Sequence, residues 1–302
     1  MNPLYQNLVI VAIMVVFAAM EWLSRRYRDT VHASANDTKL ELFMFLSLIV
    51  VAQPFTIFAA TKLCAWLIPT YRGALSDVPW WAMVGMLLIA DDMTQYWWHR
   101  VSHTPLLWPM HRAHHTASYM SIRMTYRNNF FYYLLMPGLW FAGVAIYLGF
   151  GLVYACYILT KFLIVLGAHS AWQWDAPLYR IRALRPLMWV VQRTISTPAT
   201  HWAHHALTNT DGIGNYKGNF GNLLFFWDVL FGTAHITQQY PAQVGLQSDR
   251  VFGHEHWSHQ MFFPVLRSAR EHSTLRFGGR EYAGAETRSD AGAPVPTGAS
   301  AA

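Results

Sequence analysis

Asp92-Met-Thr-Gln-Tyr-Trp-Trp-His99-Arg-Val-Ser-His103-Thr-Pro-Leu-Leu-Trp-Pro-Met-His111-Arg-Ala-His114-His115 decides how the rest of the chain reads. Its first part closes an apolar run that opens at Pro79-Trp80-Trp81, and the remainder carries histidines three and four residues apart. Residues at those spacings share one face of a helix, so each cluster aims two or three imidazoles at one spot. His201-Trp-Ala-His204-His205 repeats the second cluster's spacing further along. A lone histidine in a helix is usually packed or solvated. Three clusters at helical spacing read as a ligand set.

Outward from that stretch, the 302 residues are 54% apolar and 13% charged, against about 25% charged in a soluble domain. So few charges cannot cover a water-facing surface, which points to a membrane. The 14 Trp and 15 Tyr suit the two bilayer interfaces. The net charge of +6 comes from scattered bases rather than one basic stripe, a poor match for nucleic acid. Cys64 and Cys156 both lie in apolar stretches, so neither a disulfide framework nor a thiolate metal site is available.

The apolar runs predict an all-α, polytopic helical membrane protein whose histidine-rich metal site caps the bundle on the cytoplasmic side. The first, 7–23, is followed by Ser24-Arg25-Arg26-Tyr27-Arg28; with its positive flank behind it, it reads as a retained spanning helix rather than a cleavable leader. The second, 40–68, contains Pro54, which kinks a spanning helix without ending it. A third runs from 79 to about 98. The last two, 130–147 and 152–167, are marginal for a straight crossing of roughly 20 residues and read as a tight spanning hairpin or a re-entrant one. Alternating sides puts Arg25 to Lys39, Arg100 to Arg127 and Arg180 to Arg193 on the cytoplasmic face and the 69–78 loop opposite. The expected organisation is spanning helices over 1–78, a catalytic region over 79–240 and an extension over 241–302, disordered from about 268.

That topology brings His99, His103, His111, His114, His115, His201, His204 and His205 to one depth, with His169 at the end of the hairpin. Imidazole suits iron, zinc, copper and nickel. A tetrahedral site takes about four ligands, so nine candidates suggest two ions. Asp92 lies two helical turns before His99 on nearly the same face, where a carboxylate would accept an imidazole N–H and orient the ligand, or else tie two helices together. Asp228 has a similar but weaker case. Tyr96, Trp97 and Trp98 read as interface aromatics, and His254-Glu-His256-Trp-Ser-His259 as a solvated loop. A membrane metal transporter or histidine-based sensor is the alternative class; transport sites favour broken helices and internal repeats, and no repeat is present.

The boxes HxxxH, HxxHH and HxxHH, with Asn219-Phe220-Gly221, Trp227-Asp228 and Phe231-Gly232-Thr233 behind them, resemble the membrane fatty acid hydroxylase and sterol desaturase superfamily, in its alkylglycerol monooxygenase-like branch. The resemblance runs from about Asp92 to Thr233. It implies an O2-dependent, non-haem di-iron oxidoreductase that hydroxylates or desaturates a lipid or sterol-like substrate from the bilayer, with zinc as an alternative occupant of the isolated protein. No flavin, haem or G-x-G-x-x-G motif appears, so electrons come from an external carrier protein, which arginines around the boxes would dock. Thr104 and Thr200 stand where that branch often has an acidic residue and a histidine.

Overall fold

Pro54 has no amide proton to give a helix, and its ring crowds the preceding turn. The chain meets this with one widened π-turn, Ser47–Ala52, immediately ahead of the proline. Thr56 turns its hydroxyl back on the Ala52 carbonyl at 2.9 Å, and Ala35–Leu67 runs on as a single helix. In the computed structural model, which describes residues 3–270 and 273–277, this helix is α3. Ahead of it lie α1 (Pro3–Leu23) and a short α2 (Arg25–Thr30). Helix α4 covers 80–102 and holds a second π-turn, Leu88–Met93, carrying Asp91 and Asp92. Then come α5 (Trp108–His115), α6 (Phe130–Leu135), α7 (Pro137–Leu148) and α8 (Gly151–His169). Among the described residues there is no strand, only the isolated bridges Ile195–Leu224 and Ala206–Val244.

Two helices, Ala35–Leu67 and Gly151–His169, are long and apolar enough to cross a membrane; Leu8–Leu23 and Pro137–Leu148 are shorter apolar helices. The run expected to be continuous over 130–147 is broken. Met136 precedes a proline, is therefore held extended (ψ 117°), and separates α6 from α7. Helix α7 lies along α3 so closely that a Cβ on Gly143 would come within 2.7 Å of the Ile57 carbonyl oxygen. The α7–α8 turn uses Gly149 in the left-handed region (φ +95°) and is tied to the 69–78 loop by Gly73 N–H to Tyr147 O and Leu75 N–H to Leu148 O. The hairpin therefore reaches the same end of the bundle as the top of α3. Large apolar side chains such as Val50, Phe58, Trp66 and Trp80 face outward, a surface suited to hydrocarbon.

The opposite end is polar. The buried Glu21 carboxylate, near the end of α1, accepts from Ser121 Oγ (2.7 Å), the Ile122 amide (2.9 Å), Ser170 Oγ (3.0 Å) and the Ala171 amide (2.7 Å). At the start of α3, Asp37 and Glu41 hold the fully buried Arg127 and the half-buried Arg123. These ties gather the segments after α5 and after α8 into one layer.

Over that layer run α9 (Ala176–Arg180), α10 (Arg185–Thr194), α11 (Pro198–His204) and α12 (Phe226–Phe231), followed by α13 (Gln247–Phe252), α14 (Trp257–Phe262) and α15 (Thr274–Phe277). The extension expected from 241 is laid across the second and third histidine clusters. Arg112 pairs with the buried Asp249, Gly245 N–H bonds His205 O, and Asn129 Nδ2 donates to Gln260 O and Phe263 O. Of the stretch expected to be disordered from about 268, two residues are seen in place: Ser268 Oγ donates to Glu255 and Leu275 is buried. Its remainder, 278–302, lies outside the described residues.

Candidate metal centre

Each histidine cluster sits on a helix that stops at the polar layer. His99 is in the last turn of α4 and His103 is its C-cap; His111, His114 and His115 lie on α5; His169 ends α8; His201 and His204 lie on α11, with His205 its C-cap. Helix α11 is started by a reciprocal cap, Thr197 Oγ accepting the Thr200 amide and Thr200 Oγ accepting the Thr197 amide. Thr200, the family departure, is thus a helix starter. The other departure, Thr104, is exposed and donates to Val101 O.

The nine predicted histidines all come together, in two groups. In one, single ring nitrogens of His99, His103, His111, His115 and His204 lie within 4.8 Å of one another; in the other, so do those of His114, His169, His201 and His205. The division follows helix geometry. Residues four apart share a group (99 with 103, 111 with 115, 201 with 205), while His114 and His204 each point to the other group because adjacent residues diverge by about 100°.

The nitrogens face one another closely. Nε2 to Nε2 separations are 3.1 Å for His99–His204, 3.3 Å for His111–His115, 2.9 Å for His169–His201, 3.2 Å for His114–His169 and 3.1 Å for His201–His205. Nitrogens sharing an ion at 2.0–2.1 Å lie about 3.0–3.4 Å apart. Tautomers sharpen the point. His99 Nδ1 is 2.8 Å from Phe220 O, His169 Nδ1 2.8 Å from Val165 O and His204 Nδ1 2.7 Å from Gly218 O. A carbonyl only accepts, so each Nδ1 carries the proton and each Nε2 is bare. His99 and His204 therefore aim two lone pairs at each other across 3.1 Å, an arrangement that repels unless a cation lies between them. His103 Nε2 is likewise buried with no hydrogen-bond partner. The donor set fits a metal.

Burial holds the imidazoles of His111, His114, His115, His201, His204 and His205 well below their usual pKa, and neighbouring imidazoles push the same way. They are neutral, the form that ligates. Trp108, Tyr132 and Phe220 pack against the rings.

Asp92 departs from the expected contact. Two turns separate it from His99 by about 10 Å along the axis, too far for an aspartate to span. Its carboxylate instead accepts the Leu223 and Leu224 amides (3.3 and 3.1 Å) and the Trp227 indole N–H (2.9 Å), so it holds the loop that carries Phe220. Asp91 is the tie between helices, accepting from Tyr157 OH (2.7 Å) and Lys161 Nζ (2.5 Å) on α8. Asp228 likewise meets no imidazole; it accepts the Phe220 and Gly221 amides (2.8 and 2.6 Å) and braces the same loop. Tyr96 is fully buried rather than interfacial; it donates to Thr233, which donates to Asp228. Sequence reasoning missed Asn128, whose Oδ1 lies 2.8 Å from His111 Nδ1, and the Gly218 and Phe220 carbonyls. Asn219-Phe220-Gly221 was the available signal: Asn219, in the left-handed region (φ 55°), bends the chain so that both carbonyls reach the rings. His254, His256 and His259 join neither group.

Residues 84–233 match the fatty acid hydroxylase family. That stretch, and with it the chain, belongs to the fatty acid hydroxylase family. Within this hydroxylase family the chain falls in the alkylglycerol monooxygenase-like branch. It is 25% identical over 163 residues to alkylglycerol monooxygenase of Xenopus tropicalis, covering 51% of this chain and 30% of the relative. Identity to the Danio rerio protein of that name is 28% over 166 residues (51% and 30%), and to the Homo sapiens protein 27% over 192 residues (60% and 37%). The chain thus spans about a third of the length of these relatives. No solved structure matches. The hydroxylase region ends before α13–α15, so the segment covering the histidines lies outside the family match.

Proposed function

We propose that the protein is a multi-pass membrane oxygenase that holds two iron ions in its two histidine groups and hydroxylates a C–H bond of a lipid, using O2 and electrons from a separate carrier protein. The observation that carries this reading is the pair of bare Nε2 atoms of His99 and His204 facing across 3.1 Å, within a family of lipid hydroxylases. The relatives' name, monooxygenase, favours hydroxylation over desaturation. Bound iron would supply the O2 activation that side chains cannot.

The chain's own residues do the positioning. Carbonyls of Phe220, Gly218 and Val165 fix the tautomers of His99, His204 and His169, leaving Nε2 free to ligate. Asp92 and Asp228 hold the 218–227 loop that presents two of those carbonyls. Trp108, Tyr132 and Phe220 wall the rings from water, so a reacting C–H group meets no competing solvent. A long apolar chain would approach laterally from the bilayer, though not between α4 and α8, which Asp91 ties together through Tyr157 and Lys161. The histidine groups lie at the cytoplasmic end, as the arginine distribution indicates. The test is turnover by iron-loaded protein in lipid bilayers with a reducing carrier and 18O2. Label in a lipid alcohol is expected; full iron occupancy without O2 consumption or labelled lipid contradicts the reading. Comparing lipids of cells with and without the protein would identify the substrate.

A further inference from the structure

Between the end of α8 and the third histidine cluster, residues 176–194 carry Arg180, Arg182, Arg185 and Arg193 and no acidic residue. The segment barely joins the core. On α10 only Met188 and Gln192 are buried, whereas Leu187, Trp189 and Val190 are exposed, Leu187 by 56% and Trp189 by 57%, as is Ile181 ahead of the helix. At 100° per residue, Met188 and Gln192 fall together toward the bundle. Leu187, Val190 and Val191 fall within about 100° of one another on a second face, and Trp189 and Arg193 lie about 40° apart on a third side, between the buried pair and Val190. The Arg193 guanidinium covers the Trp189 ring at 4.3 Å.

The exposed apolar face is not isolated. Helix α10 packs on α12, which presents Phe226, Val229 and Leu230 outward. Phe231 of α12 meets Trp97 of α4 at 5.0 Å, and Trp97 is itself 41% exposed. An apolar band therefore runs from the outer surface of α4 onto α10, edged by arginines.

We infer that α9–α10 is an interfacial segment that lies in the headgroup layer, seats its apolar face among acyl chains and binds anionic phospholipid headgroups through Arg180, Arg182, Arg185 and Arg193. This rests on the membrane reading under Proposed function. A soluble acidic protein would match the arginines but leave Leu187 and Val190 facing water; a bilayer satisfies both. Headgroup binding also bears on the metal centre. Three residues link α10 to α11, and in that link Ser196 N–H bonds Leu223 O while Ser196 Oγ donates to Gly221 O. Seating α10 thereby sets the depth of the third histidine cluster and of the loop behind His99.

The test uses full-length protein in lipid nanodiscs, in a background lacking Cys64 and Cys156, with an environment-sensitive fluorophore on Val190→Cys and, separately, on Phe58→Cys of α3. Phosphatidylcholine discs are compared with discs also containing phosphatidylglycerol. Phosphatidylglycerol should reduce iodide quenching of the 190 probe several-fold, and Arg182→Gln with Arg185→Gln should abolish that reduction while the 58 probe stays protected throughout. Equal quenching at 190 in both discs, unaffected by the arginine variant, overturns the proposal. So does a variant that keeps lipid-dependent protection but loses reduction by an acidic electron carrier, which would reassign the arginines to that protein. If the 58 probe is open to iodide, the membrane reading itself fails and this inference falls with it.

Discussion

Asn128 turns its amide oxygen to His111 Nδ1 inside a fully buried layer. Asn128→Ala leaves that N–H without a partner and the ring free to rotate, so metal affinity should fall roughly 10–100-fold, beside a stability cost of about 1–3 kcal/mol for the unpaired buried donor. Asn128→Asp, which keeps an acceptor oxygen, should recover most of the affinity in a chelator competition. Asp92→Asn is expected to cost stability but to spare the metal. It exchanges one accepting oxygen for a donor amide against the Leu223, Leu224 and Trp227 N–H groups, which should cost about 1–3 kcal/mol of stability. The folded, size-selected fraction should keep wild-type iron; iron loss there without a drop in thermal midpoint would assign Asp92 to the metal. The imidazoles set an acid limit on the metal-free protein. Burial depresses the folded-state pKa of His111, His114, His115, His201, His204 and His205, so below the unfolded value of about 6.5 the unfolded chain binds more protons and stability falls as pH falls. Denaturant midpoints of chelated protein should drop steadily from pH 7 to pH 5. A flat profile would mean that these rings are not buried and neutral.

Helix α7 meets α3 through a glycine. Gly143→Ala puts a methyl 2.7 Å from both the Ile57 carbonyl and Ala60 Cβ, and the two helices must part, at about 1–3 kcal/mol. Gly85→Ala, with nothing within 4 Å, should be neutral or slightly stabilising in the same thermal scan. Equal effects would mean that the two helices do not pack as described. The helices themselves were legible in the sequence because long apolar runs have few other ways to fold, and the boxes were legible because three- and four-residue spacings survive translation into one helix face. The break at Met136-Pro137 was missed through treating an apolar run as continuous across a proline. Of the two π-turns, Ser47–Ala52 is signalled by Pro54 just behind it, whereas Leu88–Met93 left no compositional mark. Nor did the Phe220 and Gly218 carbonyls, because backbone acceptors carry no side-chain signature; only the bend at Asn219 brings them to His99 and His204.

Across the whole molecule, the polar layer with its histidines and the 69–78 loop occupy opposite ends of the bundle. If α3 and the α7–α8 hairpin cross a bilayer, a membrane-impermeant thiol reagent added outside should label Ser76→Cys and spare Ser118→Cys, both exposed positions; the reverse would invert the orientation. The histidines also divide into two adjoining groups, five side chains against four. The segment over 241–263 covers both, so their occupancy belongs to the intact chain. Iron per folded chain, measured by elemental analysis in the wild type and in two double variants, tests this partition directly. His99→Ala with His204→Ala removes the facing pair of one group, and His169→Ala with His201→Ala that of the other. The predicted result is about two ions in the wild type and about one in each double variant, since each group can hold an ion with its own ligands. One ion in the wild type, or two retained in either variant, would contradict a two-ion centre built from these histidines.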